Sequence, residues 1–160
     1  MASSTHTSLY KVTTGPAGRA MAQPMEESLL EALQQHLTME RCASAAYFAN
    51  SIWFAERELR GFSQYFKQES LNEQSHAGIF ADYLLARGQT VILQDIPAPR
   101  QSWDSVEEVM AAAFQMEADV TSSLHQLYAI AERSSDMRTT VFLDPTIDSQ
   151  TNSENEFEII

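Results

Sequence analysis

The chain has 160 residues, of which 44% are hydrophobic and 20% charged, and its formal net charge is -12. This length suits one domain with a hydrophobic core, and the acidic balance excludes nucleic acid as a natural partner because like charges repel. No apolar run is long enough to span a membrane, and the one cysteine, Cys42, excludes an internal disulfide and favours a cytoplasmic location. Helix-forming residues dominate over the 5 Gly and 5 Pro, so we predict an all-α domain.

Residues 1–24 precede the first predicted helix and are rich in Ser and Thr. They contain no Asp or Glu but carry Lys11 and Arg19, a composition compatible with an organellar transit peptide. No Arg-rich amphipathic pattern develops, however. We therefore predict a disordered N-terminal tail, with a transit peptide as the alternative, followed by one bundle domain over residues 25–160.

The first predicted helix covers residues 25–59. Its apolar residues recur every three or four positions, which places Glu40 and Tyr47 on the face that would pack into the core. A buried tyrosine is ordinary in a core, whereas a carboxylate there requires a partner because burying an unpaired charge is costly. Gly61 is predicted to form the turn that follows, and so short a link makes the next helix antiparallel to the first.

The second predicted helix covers residues 62–87 and ends at Gly88. It contains the one Glu-x-x-His of the sequence, Glu73 and His76, which lie on one helix face because they are three positions apart. Glu69 lies on the same face, among apolar residues. A carboxylate and an imidazole that project together suit a metal such as iron, although an isolated pair of this kind is more often a solvated helix face.

A long connection follows, over residues 88–103. Pro97 and Pro99 forbid a continuous helix through it, and an extended segment of this length can run along a whole bundle. A bundle of short-loop hairpins needs no such link. The segment therefore predicts a four-helix bundle with one long crossover between helices 2 and 3.

The third predicted helix begins at Asp104, the first residue of a possible capping box, and continues to about residue 133. One carboxylate, Glu117, again interrupts its apolar face, on which Phe114 is also predicted to lie. His125 lies off this face and is predicted to be a surface residue.

The fourth predicted helix begins near Met137 and reaches the end of the chain. Its apolar face includes one amide, Gln150, and Pro145 is predicted to kink it.

Polar side chains are predicted to meet in the centre of the bundle if the four apolar faces converge. Glu40, Glu73 and Glu117 each come from a different helix, His76 accompanies Glu73, and the fourth helix adds Gln150. Several like charges cannot share a dry core without counter-cations. Two metal ions bridged by Glu73 would satisfy these groups, and buried structural polar residues are the alternative.

Over roughly residues 15–157 the sequence resembles the ferritins, and most closely the cyanobacterial type. The resemblance depends on six short motifs: Glu40-Arg-x-Ala-x-x-x-Tyr47, Ala55-Glu-Arg-Glu-Leu-x-Gly61-Phe62, Glu73-Gln-Ser-His76, Ala98-Pro-Arg-Gln-x-Trp103, Phe114-Gln-Met-Glu117 and Phe142-Leu-Asp-Pro145. It implies a ferritin-like bundle that stores iron and acts as a ferroxidase, an Fe(II):oxygen oxidoreductase.

The resemblance also implies how the site residues divide between two iron ions. Glu40, Glu73 and His76 would ligate the first iron. Glu73 would bridge to the second iron, which Glu117 would also hold. The implied cofactor is therefore two iron ions per subunit, with Fe(II) and dioxygen as the partners and Glu73 at the centre of catalysis.

Other residues take supporting roles by the same resemblance. Tyr47 is implied as a catalytic one-electron donor to oxygen intermediates, and Gln150 as an amide beside the second iron. Asn72 stands where many ferritins have an acidic residue that passes iron onward. The candidate acids for the path by which iron enters are Glu69, Asp144 and Asp148.

The chain also departs from related families. A second Glu-x-x-His, typical of bacterioferritins and ribonucleotide-reductase-like oxygenases, is absent, and Gln74 replaces the haem-ligating methionine of bacterioferritins, so no haem is expected. Ferritins form homo-oligomeric 24-subunit cages. Because the chain stops at Ile160, within a short fourth helix, we expect a dimer but poor cage assembly. The alternatives in function are a di-iron oxygenase or peroxide-detoxifying bundle, or a metal-free interaction bundle.

Overall fold

The computed structural model of the chain describes residues 13–14, 20–21 and 23–159, and the side chains of residues 23–155. Its helices are α1 (Glu27–Glu56), α2 (Arg60–Ala86), α3 (Val106–Arg133) and α4 (Met137–Ile159). Two short strands, β1 (Thr13–Thr14) and β2 (Ala20–Met21), pair in antiparallel fashion before them. The predicted N-terminal tail, or its transit-peptide alternative, lies mostly outside the described residues. In the described part of the chain, no helix is both long and apolar enough to cross a membrane.

The four helices form two hairpins, α1 with α2 and α3 with α4, and α3 also packs along α1. Their apolar stripes face inward and fill two buried clusters. The larger one draws on all four helices and includes Leu33, Phe80, Leu124 and Leu143. The other lies nearer the α1–α2 turn and includes Phe54, Phe66 and Val109. The predicted all-α four-helix bundle is therefore confirmed, and the apolar periodicity explains it.

The crossover between α2 and α3 runs beside α1 and has neither helix nor strand along its described length, as its two prolines predict. Side chains of α1 form hydrogen bonds with three of its backbone groups. Gln34 accepts from the N–H of Ile92 at 2.8 Å and donates to the carbonyl of Thr90 at 3.2 Å. Further along, Arg41 donates to the carbonyl of Gln94 at 2.7 Å. The crossover is thereby held against α1 at two points about two helical turns apart.

Three helices are each followed, two residues after their last helical residue, by a residue with a left-handed backbone conformation. These residues are Glu58 (φ 61°), Gly88 (φ 73°) and Ser135 (φ 53°). In each case the next backbone N–H bonds a carbonyl in the last helical turn, at 2.8 to 3.0 Å, which is the Schellman arrangement. The prediction for Gly88 is confirmed. The prediction that Gly61 forms the first turn is wrong, because Gly61 is the second residue of α2 and Glu58 makes the turn.

The start of α3 differs by one residue from the predicted capping box. Ser105 is the N-cap, and its hydroxyl accepts from the N–H of Glu108 at 3.1 Å. The carboxylate of Glu108 accepts from the N–H of Asp104 at 2.8 Å, which completes a capping pair shifted by one position.

The predicted position of Phe114 on the inward face of α3 is wrong. Phe114 is 39% exposed, because the neighbouring Ala113 occupies the inward position on this turn.

A buried ion pair joins the two hairpins at one end of the bundle. Arg87, at the end of α2, donates to both carboxylate oxygens of Asp136 at 2.9 Å. Arg87 is 1% exposed and Asp136 is 2% exposed. Burial alone would raise the pKa of Asp136, but the hydrogen bonds from Arg87 outweigh burial and hold that pKa below its ordinary value. Asp136 also accepts from the N–H of Thr139 at 3.1 Å, so it caps α4 as well.

Candidate metal centre

Carboxylates from three helices and one imidazole converge in the middle of the bundle. Glu40, Glu73 and Glu117 are only 1% to 2% exposed, and each comes from an inward stripe of its helix. His76, one turn after Glu73, is half-buried. Its Nδ1 lies 3.3 Å from Glu73 Oε2 and 3.7 Å from Glu40 Oε2. The helical spacing that singled out these residues in the sequence therefore places them side by side.

Two overlapping sets of donor atoms lie close enough together to hold a metal ion. Glu40, Glu73 and His76 each offer one atom within 4.8 Å of the others, and so do Glu69, Glu73 and Glu117. Glu73 belongs to both sets, so its carboxylate is shared between them. Glu69 was predicted to lie on the path by which iron enters. The structure instead groups its carboxylate with the donors of the second set.

The electrostatics of the cluster favour cations. Burial and the nearby carboxylates of Glu40 and Glu117 raise the pKa of Glu73 to about 9, against the opposing hydrogen bond of His76. The neighbouring carboxylates of Glu40 and Glu73 raise the pKa of His76 to about 10. Burial by itself would raise the pKa of Glu40, but the histidines beside it hold that pKa far below its ordinary value. Protons therefore balance the buried charge in the metal-free protein, and divalent cations would displace them.

Two polar side chains fix the orientation of Glu117. The hydroxyl of Tyr47 donates to Glu117 Oε1 at 2.5 Å, and the amide of Gln150 donates to Glu117 Oε2 at 2.6 Å. Burial and the charge of Glu117 raise the pKa of Tyr47, so its phenol keeps its proton. Gln150 thus touches a predicted ligand through its nitrogen, and only its amide oxygen could bind a metal. Pro145 lies inside α4, and the helix continues on both sides of it. The kink predicted at Pro145 stays a prediction.

A cavity of about 280 Å³ lies beside Glu40 and His76 and is lined by both of them. Its remaining lining comes from α2 and α4: Ile79, Phe142, Pro145, Thr146, Ser149 and Gln150. Asp144 and Asp148 are exposed on α4, and neither of them lines this cavity. The structure therefore does not bring these two predicted acids to the centre, because they lie on other faces of the helix. The predicted surface position of His125 is confirmed.

Sequence reasoning missed three residues that contact the site. His36 is 0% exposed, and its Nε2 lies 2.9 Å from Glu40 Oε1. Its spacing of four positions before Glu40 was the available signal. Ser123 of α3 contacts the other ring nitrogen of His36 at 2.7 Å, and nothing in the sequence links the two. Asn72, noted only as a missing acid, donates to Glu69 at 3.3 Å and so helps to hold that carboxylate.

Comparison with known proteins shows the family to which this chain belongs. A model of the ferritin-like domain matches residues 30–160, so the chain belongs to the ferritin family. Iron storage with iron oxidation is the general activity of that family. The four-helix bundle and the two overlapping donor sets described above therefore belong to a member of the ferritin family.

Individual relatives support the same assignment. The chain is 31% identical to a bacterial non-heme ferritin of Staphylococcus haemolyticus over 134 residues, which are 84% of this chain and 81% of that protein. A bacterial non-heme ferritin of Staphylococcus aureus is 28% identical over the same shares of each chain. Among solved structures, a PmFTN variant soaked in iron overnight superposes with a TM-score of 0.81 at 32% identity, covering 82% of this chain and 85% of that one. A humanized archaeal ferritin also superposes with a TM-score of 0.81, at 27% identity, over 83% and 81% of the two chains.

Proposed function

We propose that this protein oxidises Fe(II) with dioxygen at the paired carboxylate site and stores the ferric product. The observation that carries the proposal is the position of Glu73, whose carboxylate belongs to both ligand sets. One carboxylate that bridges two cations holds them close enough for each to give an electron to the same dioxygen molecule. Membership of the ferritin family supports iron as the cation.

The ligand chemistry suits this substrate. Glu40, Glu73 and His76 would hold the first iron, and Glu73 and Glu117 would hold the second, with Glu69 as a further oxygen donor. Oxygen and imidazole donors of this kind bind iron well. Carboxylates add negative charge and therefore stabilise Fe(III) more than Fe(II), which favours oxidation. The cavity beside Glu40 and His76 offers Fe(II) a route to the first position.

The electron balance assigns a role to Tyr47. Two Fe(II) ions supply two electrons, which together with two protons reduce dioxygen to the oxidation level of hydrogen peroxide. Tyr47 would supply a third electron, becoming a radical, and a further Fe(II) ion the fourth, so that dioxygen is reduced to water. The proton that Tyr47 releases with its electron has an acceptor 2.5 Å away in Glu117 Oε1. Full burial of the ring, at 0% exposure, would shield such a radical from solvent.

Stopped-flow oxidation of two Fe(II) ions per subunit tests the proposal. Glu73→Ala removes the bridging ligand and should abolish the rapid phase, whereas Glu132→Ala, a change of an exposed carboxylate on α3, should leave it unchanged. A wild-type rate in Glu73→Ala would contradict a bridged site. Uptake of iron well beyond two ions per subunit would support storage, uptake limited to two would favour a di-iron oxygenase, and no uptake would favour an interaction bundle.

Storage also requires an enclosed volume, so we propose a homo-oligomer in which the crossover face of α1 meets a second copy. Phe48 lies seven positions after Arg41, which binds the crossover, and therefore lies on the same side of α1. Phe48 is 52% exposed, and Ile92 and Leu93 of the crossover are 55% and 63% exposed. Leu93→Glu should weaken self-association in sedimentation velocity, and an unchanged profile would exclude this face.

A further inference from the structure

The buried histidine His36 lies directly behind a ligand of the first iron and has no part in the mechanism above. Its ring is 0% exposed and packs against Phe80, with ring centroids 4.6 Å apart. Its Nε2 is 2.9 Å from Glu40 Oε1, and its Nδ1 is 2.7 Å from Ser123 Oγ. Both ring nitrogens are therefore engaged, and His36 could bind a metal ion only by breaking one of these contacts.

The hydrogen-bond partners determine which nitrogen carries the proton. The Glu40 carboxylate can only accept, so Nε2 of His36 carries a hydrogen and donates it to Oε1. In the neutral imidazole, Nδ1 then accepts from the hydroxyl of Ser123. Because Ser123 belongs to α3 and His36 to α1, the packing of these two helices sets the angle at which the ring meets Glu40.

This contact divides the two oxygens of Glu40. Oε1 is occupied by His36, whereas Oε2 is buried without a hydrogen-bond partner among the described residues and lies 3.7 Å from His76 Nδ1. A buried carboxylate oxygen without a partner is costly, and a cation at the first site would satisfy it.

We propose that His36 is a positioning residue that makes Glu40 a monodentate ligand through Oε2. A bidentate Glu40 would occupy two coordination positions of the first cation. The contact from His36 therefore keeps one of these positions open for dioxygen. This inference rests on the proposed function, because it assumes that the first donor set binds a cation. It adds a residue outside the ligand sets that determines how one ligand is presented.

Titration of the metal-free chain with Co(II), followed by visible absorption, tests this role. A Glu117→Ala background removes a ligand of the second ion and isolates the first site. In that background His36→Leu should weaken Co(II) binding about 10-fold or more, the usual effect of losing a partner that orients a ligand. His36→Gln places an N–H donor near the former position of Nε2. Its Co(II) affinity should therefore stay within about threefold of that of the Glu117→Ala chain with His36 intact. A crystal structure with Zn(II) should show one Glu40 oxygen on the metal in the parent chain and in His36→Gln, but two in His36→Leu.

Serine variants keep the test decisive if His36→Leu does not fold. Ser123→Ala should weaken Co(II) binding in the same direction but by less. Ser63→Ala removes a comparable hydroxyl that joins α2 to the Ser51 carbonyl of α1 at 2.8 Å, and should have no effect. Equal Co(II) affinity in the parent chain and Ser123→Ala, or equal losses in His36→Leu and His36→Gln, would overturn the inference. Failure of the wild-type chain to bind Co(II) would instead contradict the proposed function.

Discussion

Removal of one hydroxyl group, in Tyr47→Phe, tests the packing and the chemistry of the centre together. The Tyr47 hydroxyl is one of two side-chain donors to the Glu117 carboxylate, at 2.5 Å, and both residues are at most 1% exposed. Phenylalanine keeps the ring and therefore its contact with Phe66, whose centroid is 5.7 Å away. The change thus removes a hydrogen bond to a charged group without opening a cavity of note. Such a bond contributes about 1.5–3 kcal/mol, so we expect the metal-free variant to lose that much free energy of unfolding.

Two measurements check the Tyr47 prediction. Urea unfolding of the metal-free chain at neutral pH gives the change in stability, and Tyr128→Phe, a partly buried tyrosine on α3, is the matched control, with an expected loss below about 0.5 kcal/mol. Rapid-freeze electron paramagnetic resonance after mixing with Fe(II) and dioxygen should show a tyrosyl radical in the wild type and none in Tyr47→Phe. A loss below about 0.5 kcal/mol in Tyr47→Phe would refute the hydrogen-bond argument. An unchanged radical signal would remove Tyr47 from the mechanism.

Other perturbations probe the bundle and the second ligand set. Asp136→Ala leaves Arg87 charged and buried without its partner and should cost about 3–5 kcal/mol, measured by urea unfolding. Because the pKa of Asp136 is lowered in the folded state, its contribution to stability is present above the unfolded pKa of about 3.9 and is lost as pH falls below it. Wild type should therefore lose more stability than Asp136→Asn between pH 6 and about pH 3, and parallel curves would contradict this. Glu69→Gln should weaken binding of the second Co(II) ion and leave binding of the first ion unchanged. Wild-type affinity for both ions in this variant would exclude Glu69 as a ligand.

Much of the centre could be predicted from the sequence, because a helix converts spacing along the chain into position around an axis. Glu40, Glu73 and Glu117 each interrupt an apolar stripe, and apolar stripes must face one another to leave water. Their convergence therefore follows from the same hydrophobic burial that forms the bundle. The crossover was predictable for an equally local reason, since Pro97 and Pro99 exclude a helix there.

Features that depend on contacts between helices were not accessible in this way. Ser123 and His36 are 87 positions apart and meet only because α1 and α3 pack together. Glu69 was on the right helix face, but its grouping with Glu117 depends on the distance between α2 and α3. Among residues 23–159, the sequence marked the left-handed turn at Gly88 and missed the one at Glu58, which adopts that conformation without a glycine.

The division has one physical cause. Periodicity and turn chemistry act over a few residues, so the sequence by itself determined the helices, their inward faces and the residue types at the centre. Distances of 2.5 to 2.9 Å, such as those from Tyr47 to Glu117 and from His36 to Glu40, decide which oxygen of a carboxylate is free for a metal. Such distances depend on how side chains from different helices pack in three dimensions, and only the tertiary structure decides them.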